Sequence, residues 1–265
     1  MSALTARILA AKAADRLALG LYLIPGQPDW ETSLLAARET SARGVDFVEF
    51  PIIAGPGWSA RTGSAIAGCL SASLPGICSW SEAVEEWLSA IPVGVGVVYA
   101  SAWPEPDRWM ADLRFRDHAA GLLLEPDVGD WNAYADEAVR QATPLVPTVD
   151  GCAECGREAV CDRLVRGSGF AYVSMGTRTG DRSADPRILN RQIAVINACR
   201  PELPVCCAFG IRGAADIAAL RSLCPCDGVV VGTAAIEELQ RGIEPFRRWL
   251  GSLEPVLDRS RSPGV

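Results

Sequence analysis

Short, almost continuous apolar runs recur along the chain and alternate with segments of helical periodicity. The eight runs lie at 17–26, 45–52, 93–102, 121–128, 143–149, 169–176, 203–210 and 227–236. Runs of this kind are typical of strands that are buried on both faces, as in a parallel sheet. Several of the helical segments begin at Asp or Ser, whose side chains accept hydrogen bonds from first-turn amides. The pattern therefore predicts alternating strands and helices.

Eight strand and helix units in a chain of 265 residues predict an α/β fold, namely a single (β/α)8 TIM barrel. An open, doubly wound sheet is the alternative, although such sheets usually have fewer strands. We expect an extra N-terminal helix at 1–16, the barrel at 17–252 and a tail at 253–265. Because no linker or shift in composition divides the chain, we expect one domain.

Composition and charge exclude several classes of function. The chain has 32 acidic and 25 basic residues, a net charge of −7 and no basic run, which argues against nucleic-acid binding. We find no cleavable signal, and no stretch approaches the roughly 18 to 20 apolar residues that are needed to cross a bilayer. We therefore expect a cytoplasmic protein without a membrane partner.

The loops after the sixth, seventh and eighth predicted strands all carry glycine. They read MGTRTGDRS, AFGIRGAAD and VGTAAIEE. Active sites of TIM barrels lie at the C-terminal ends of the strands, and the last loops often hold a phosphate beside a helix N-terminus. Glycine allows backbone amides to approach the phosphate oxygens, although it also occurs where a turn is merely tight. These loops predict a small phosphorylated substrate.

Several segments, taken in order, resemble the α subunit of tryptophan synthase from about residue 18 to 250. They are YLIPGQPDWETSLLAARETSARGVDFVEFPI, IPVGVGVVYAS, GFAYVSMGTRTGD, AFGIRGAADIAAL and DGVVVGTAAIEE. The resemblance implies a carbon–carbon lyase of tryptophan biosynthesis, which cleaves indole-3-glycerol phosphate to indole and glyceraldehyde 3-phosphate by a retro-aldol step. It implies neither a metal nor an organic cofactor, and it implies a β-type subunit as a partner.

The resemblance also assigns candidate site residues. Glu49, placed at the end of the second predicted strand, falls on the general acid/base, and Tyr172 falls on a tyrosine near that glutamate. A carboxylate in such an apolar run should have a raised pKa, whereas the alternative is a salt-bridged structural glutamate. The candidates for substrate and phosphate binding are Tyr22, Tyr99, Asp127, Thr179, Gly180, Phe209, Gly210, Gly232 and Thr233. Ordinary barrel packing is the alternative role for these residues.

The loop after Glu49 departs from the family pattern. The family has an acid-rich loop there, whose second aspartate binds the indole N–H and which helps to dock the β-type subunit. Here the segment reads IIAGPGWSARTGSAIAG, and Ala60, beside Arg61, falls at the position of that aspartate. The loss of one participating acid typically costs on the order of 10²-fold in rate or more. The altered loop also weakens the expectation of a β-type partner.

Three functional hypotheses remain open. The first is a diverged indole-3-glycerol phosphate lyase, in which Asp127, Glu125 or Tyr22 contacts the indole nitrogen. The second is an enzyme that acts on a different phosphorylated substrate and uses Arg61 where the family uses an acid. The third is a non-catalytic regulatory relative, against which the retention of Glu49 counts, because an unpaired buried carboxylate costs stability.

The ten cysteines and the single histidine give no firm metal site. Cys152 and Cys155 form a CxxC motif, which is half of a zinc site or a redox pair, but ordinary reduced thiols are the favoured interpretation. Cys224 and Cys226 precede the last strand, so they should lie at the opposite end of the barrel. His118 should lie at that end too. We expect no bound metal, and we expect Cys206 and Cys207 to fill space in the core.

Overall fold

The computed structural model describes residues 2–52, 62–77, 82–98, 119–124, 131–140, 143–151, 156–176 and 185–259. Its strands are β1 (Ala18–Tyr22), β2 (Phe47–Ile52), β3 (Gly94–Val98), β4 (Ala119–Leu124), β5 (Leu145–Val146), β6 (Thr148–Asp150), β7 (Ala171–Ser174), β8 (Val205–Ala208) and β9 (Gly228–Val231). Its helices are α1 (Ala3–Ala13), α2 (Trp30–Ala42), α3 (Ser64–Ile77), α4 (Glu82–Ala90), α5 (Trp131–Arg140), α6 (Arg157–Arg166), α7 (Pro186–Cys199), α8 (Ala214–Leu223), α9 (Thr233–Gln240) and α10 (Ile243–Leu257).

Within the described ranges the strands form one parallel sheet in the order β5-β4-β3-β2-β1-β9-β8-β7-β6. β5 pairs with β4 and β6 pairs with β7, so the two short strands are the halves of one barrel strand. Pro147 separates them because proline has no amide hydrogen to donate to a neighbouring strand. The sheet is a nearly closed barrel surrounded by helices, which confirms the predicted TIM barrel and excludes the open sheet.

The predicted N-terminal helix is present as α1, and it covers the amino-terminal end of the barrel. Leu4, Ile8 and Ala11 of α1 are buried in the same cluster as the side chains that point into the barrel. The hydroxyl of Thr5 donates to the backbone oxygen of Gly169 at 2.8 Å. Apolar residues spaced three or four apart lie on one face of a helix, so a single face of α1 covers this end.

Two buried acids fix neighbouring strands at the same end. Asp46 accepts two hydrogen bonds from the guanidinium of Arg16, at 2.7 and 2.6 Å, and one from the amide of Leu19 at 2.8 Å. The hydrogen bonds with Asp46 raise the pKa of Arg16. Asp227 pairs with Lys12 at 2.9 Å and accepts from the amide of Val205 at 2.9 Å. Each acid therefore has both a cation and a backbone amide, as buried carboxylates require.

The last helix, α10, continues past the predicted end of the barrel at residue 252 to Leu257. Leu253 and Leu257, four residues apart, are both buried on one face of α10, and their burial favours continuation of the helix to Leu257. The amide of Leu17 donates to the backbone oxygen of Leu257 at 2.8 Å. The remainder of the predicted tail, 260–265, lies outside the described residues.

Cys161 of α6 and Cys199 of α7 form a disulfide, which corrects the expectation of reduced thiols for this pair. Their Cα atoms are 5.7 Å apart, within the usual range for a disulfide. The sequence did not indicate the pair because the two cysteines belong to different helices. The described cysteines that form no disulfide are Cys69, Cys206, Cys207, Cys224 and Cys226. No helix in the described ranges is long and apolar enough to cross a membrane.

Candidate active site

The first, second and last strands bring three of the predicted site residues side by side. Tyr22 is the last residue of β1 and pairs in register with Glu49 of β2. Gly232 directly follows β9, and a Cβ atom added to it would lie 3.4 Å from the Cβ of Tyr22. Tyr22 therefore lies between Glu49 and Gly232, toward the carboxyl ends of the strands, where TIM barrels place their active sites.

Glu49 lies within β2 and not at the end of the strand, where the sequence placed it. β2 keeps pairing with β3 as far as Ile52, so three further apolar residues extend the strand. Glu49 shares one face of β2 with Phe47, whose ring is buried inside the barrel. Its register partners Tyr22 and Val95 belong to the same interior cluster. The Glu49 carboxyl is therefore inside the barrel.

The Glu49 carboxyl has an unusual electrostatic environment. The residue is 3% exposed, and Oε1 accepts no hydrogen bond from any residue that the structure describes. Burial withdraws the charged form from water and raises the pKa of Glu49 to about 8. Asp46, an equally buried acid of the same chain segment, is paired with Arg16. Among the described residues Glu49 has no such cation, which argues against a salt-bridged structural role.

Aromatic side chains lie on the opposite wall of the barrel. Tyr172 of β7 is buried in the interior cluster, and its ring contacts that of Phe209 edge to face, with centroids 6.1 Å apart. Phe209 and Gly210 follow β8 and both have positive φ, 75° and 68°. A phenylalanine in this region costs about 1 kcal/mol or more, and such strain is concentrated at functional sites. The turn thus holds the Phe209 ring against Tyr172.

The amino terminus of α9 has the features of an anion site. Gly232 is its N-cap, and no described side chain caps the helix. Thr233 is its first residue, and the Thr233 Oγ1 atom is buried without a hydrogen-bond partner among the described residues. First-turn amides have no acceptor within their own helix, and the helix dipole favours an anion there. A buried, unpartnered hydroxyl beside these amides is suited to a phosphate oxygen.

Four predicted site residues lie outside the described residues, as do several others weighed from the sequence. The site candidates are Tyr99, Asp127, Thr179 and Gly180, and the others are Ala60, Arg61, His118, Glu125, Cys152 and Cys155. The described candidates, Tyr22, Glu49, Tyr172, Phe209, Gly210, Gly232 and Thr233, all follow or belong to strands of the barrel.

The profile of the tryptophan synthase alpha chain family matches residues 8–254. The chain belongs to this family. It is 28% identical over 263 residues to the tryptophan synthase alpha chain of Mycobacterium marinum, with 95% of this chain and 93% of the relative covered. It is 30% identical over 278 residues to that of Gluconacetobacter diazotrophicus, with 97% of each chain covered. A solved structure of Mycobacterium tuberculosis tryptophan synthase has a TM-score of 0.77 and 22% identity, covering 97% of this chain and 98% of that chain.

In this member of the tryptophan synthase alpha chain family, the helix α3 was not foreseen. Its sequence, SAIAGCLSASLPGI, contains glycine, serine and proline, which are weak helix formers, and its first five residues belong to the segment that the sequence analysis assigns to the loop after Glu49. Ile66 of α3 is buried, and its Cδ1 would lie 3.8 Å from a Cβ on Gly232. The side-chain amide of Gln27, in the loop after β1, donates to the hydroxyl oxygen of Ser73 of α3 at 2.6 Å. α3 therefore packs over the start of α9. The sequence signal for this helix was the spacing of its buried residues Ile66, Cys69 and Leu70, which are three or four residues apart.

Only one group within the described ranges could hold a metal, and it lies in a different layer of the fold from Glu49. It consists of Cys207, Cys224 and Cys226, which belong to the cluster between the sheet and the outer helices. Glu49 faces the interior cluster instead. The described part of the candidate active site thus offers a carboxyl, aromatic rings, a hydroxyl and backbone amides.

Proposed function

We propose that the chain is a carbon–carbon lyase that cleaves indole-3-glycerol phosphate to indole and glyceraldehyde 3-phosphate. Membership of the tryptophan synthase alpha chain family supports this class of reaction. The observation that carries the proposal is the Glu49 carboxyl, which is buried inside the barrel, lacks a cation among the described residues and has a pKa of about 8. A group with such a pKa both gives and takes a proton near neutral pH.

Glu49 performs both proton transfers of the retro-aldol step in this proposal. Its carboxyl gives a proton to C3 of the indole ring, and its carboxylate takes the proton of the hydroxyl on the adjacent side-chain carbon. The bond between that carbon and C3 then breaks, its electron pair returns to the indole ring, and the hydroxyl oxygen becomes the aldehyde oxygen. The proton taken from the hydroxyl leaves Glu49 protonated again, so no net proton is consumed.

The other described residues position the two ends of the substrate. Tyr22, Tyr172 and Phe209 supply aromatic surface for the indole ring, which is large and planar. The amides at the start of α9 and the hydroxyl of Thr233 bind the phosphate, with Gly232 allowing close approach. From the resemblance alone we add Gly210, Thr179 and Gly180 on the phosphate, and Tyr99 and Asp127 on the remainder of the substrate.

A second candidate function is the conversion of a different phosphorylated substrate. It is favoured by one observation, that no acid occurs between Glu49 and Glu82, so the aspartate that binds the indole N–H in the family is missing. Arg61 would then supply a positive charge where the family has an acid. The phosphate site and Glu49 would be used in the same way. We keep a non-catalytic, regulatory role as a third candidate. Docking to a β-type subunit is also proposed, and it rests on the resemblance to the family alone.

The test is indole release from indole-3-glycerol phosphate, followed by chromatography, with the purified full chain. We expect indole from the wild type and at least about 10²-fold less from Glu49→Gln, which keeps the size of the side chain but cannot transfer the proton. Glu31→Gln is the matched control, because Glu31 is an exposed acid of α2 and its replacement should leave the rate unchanged.

Calorimetric titration with the same substrate separates the candidates. Equal indole release from wild type and Glu49→Gln would contradict the role of Glu49. Tight binding without indole release from the wild type would favour the second candidate. If the wild type neither binds the substrate nor releases indole, the non-catalytic, regulatory role is the remaining candidate.

A further inference from the structure

Three cysteine thiols meet in the layer between the sheet and the outer helices. Cys207 lies in β8, Cys224 follows the last residue of α8, and Cys226 precedes β9. All three are buried, and their sulfur atoms lie within 4.8 Å of one another. They are therefore close enough to share one ion, and the chemistry proposed for Glu49 does not use them.

The local fold explains why the three thiols converge. Side chains alternate between the faces of β8, so Cys206 points into the barrel and Cys207 points toward the outer helices. The amide of Asp227 donates to the backbone oxygen of Val205 at 2.7 Å, and the Asp227 carboxylate accepts from the Val205 amide at 2.9 Å. This double contact fixes the segment that carries Cys226 against β8.

The distances and the chemistry suit a thiophilic metal ion. Zinc lies about 2.3 Å from each cysteine sulfur, so three sulfurs around one ion are about 4 Å apart. The three sulfur atoms of this cluster lie within 4.8 Å of one another, which is compatible with that separation. Thiolates are soft ligands that prefer zinc, copper(I) and iron–sulfur clusters over magnesium or calcium. No histidine, aspartate or glutamate of the described residues belongs to the group, so the ligands that the described part of the chain supplies are sulfur alone.

Charge favours a divalent ion. Three thiolates and one divalent ion carry a net charge of −1, whereas a monovalent ion would leave −2 in an apolar layer. The guanidinium of Arg259 donates to the backbone oxygen of Cys226 at 2.5 Å, so one positive charge lies beside the group. Asp227 adds no uncompensated charge, because it is paired with Lys12 at 2.9 Å. The surroundings thus neutralise a charge of −1.

We propose that Cys207, Cys224 and Cys226 bind one divalent, thiophilic ion, with zinc as the abundant candidate. Binding releases the thiol protons to the solvent. The ion joins the end of α8 and the entry to β9 to the middle of β8. A ligand that binds only the folded chain stabilises it, so in this proposal the ion stabilises the barrel. This inference is independent of the proposed lyase activity.

The test is titration of the full chain with Cd²⁺ under reducing, metal-free conditions, followed by the ultraviolet absorption of cadmium thiolates. We expect one ion per chain, displacement by Zn²⁺, and a zinc absorption-edge spectrum with sulfur at about 2.3 Å. Cys207→Val and Cys226→Ala should each abolish this signal. Cys206→Ala is the matched control, because Cys206 is its equally buried neighbour on the other face of β8. Circular dichroism checks that each variant is folded.

Several results would overturn the inference. One is a wild-type chain that binds no Cd²⁺ although thiol counting shows these cysteines reduced, which would make the cluster ordinary apolar packing. Another is Cd²⁺ binding that persists in Cys207→Val but is lost in the double variant Cys152→Ser, Cys155→Ser. Binding of copper(I) without zinc or cadmium would contradict the choice of a divalent ion.

Discussion

Replacing Glu49 by glutamine should change how the stability of the barrel depends on pH. The pKa of Glu49 in the folded chain is about 8, against 4.5 for an ordinary glutamate. Because the folded pKa is raised, the stability that this group contributes is fully present below pH 4.5 and is lost as the pH rises toward 8. In that window the free energy of unfolding should fall by about 1.4 kcal/mol per pH unit.

The magnitude follows from the two pKa values. Their difference corresponds to about 5 kcal/mol in total, of which about 3 kcal/mol is lost between pH 4.5 and 7. Glutamine cannot ionise, so Glu49→Gln lacks this contribution. The variant should therefore gain stability relative to wild type as the pH rises, and above about pH 8 the difference should become constant.

The assay is urea unfolding of both proteins at several pH values between 5 and 9. Other groups titrate in this range, so the informative quantity is the difference between the wild type and Glu49→Gln at each pH. Glu31→Gln, which replaces an exposed acid of α2, is the matched control for the substitution itself. Parallel pH profiles for the wild type and Glu49→Gln would refute the argument that burial raises the pKa of Glu49.

Two further predictions concern the phosphate site and the closed end of the barrel. Thr233→Val should raise the KM for indole-3-glycerol phosphate by about 10-fold or more with little change in kcat, because a hydrogen bond to a charged group contributes about 1.5 to 3 kcal/mol. Thr233→Ser, which keeps the hydroxyl, should behave as wild type, and equal KM values for Val and Ser would contradict the assignment. Asp46→Ala should lower the free energy of unfolding in urea by about 3 kcal/mol, because it leaves Arg16 and the Leu19 amide without their acceptor. Glu86→Ala, which breaks an exposed pair with Arg38, should cost less than about 1 kcal/mol, and a similar loss from both variants would count against this reasoning.

The barrel itself was predictable because its strands are buried on both faces and read as continuous apolar runs. The limits of individual strands and helices were predicted less accurately where glycine or proline interrupts the pattern. Pro147 divides the fifth barrel strand, and glycine and proline in 64–77 hid the helix α3. Glu49 was placed at the end of its strand because the pattern of a buried strand does not mark which residue is last.

Contacts between distant segments could not be read from the sequence. The Cys161–Cys199 disulfide depends on two helices that pack side by side. Cys207 was expected only to fill space, because its meeting with Cys224 and Cys226 depends on how α8 returns to the sheet. The position of Glu49 beside Tyr22 was easier to foresee, since neighbouring strands of a parallel barrel end together.

The packing of α1 sets an order in which the chain can be completed. Thr5 of α1 bonds to Gly169, which lies 164 residues later in the chain and is therefore synthesised after it. A Cβ on Gly169 would lie 2.9 Å from the side chain of Leu4, so the helix rests directly on this turn. Until residue 169 has been synthesised, the apolar face of α1 has no place to dock. α1 therefore docks only after residue 169 is available, and until then its leucine and isoleucine side chains are open to chaperones.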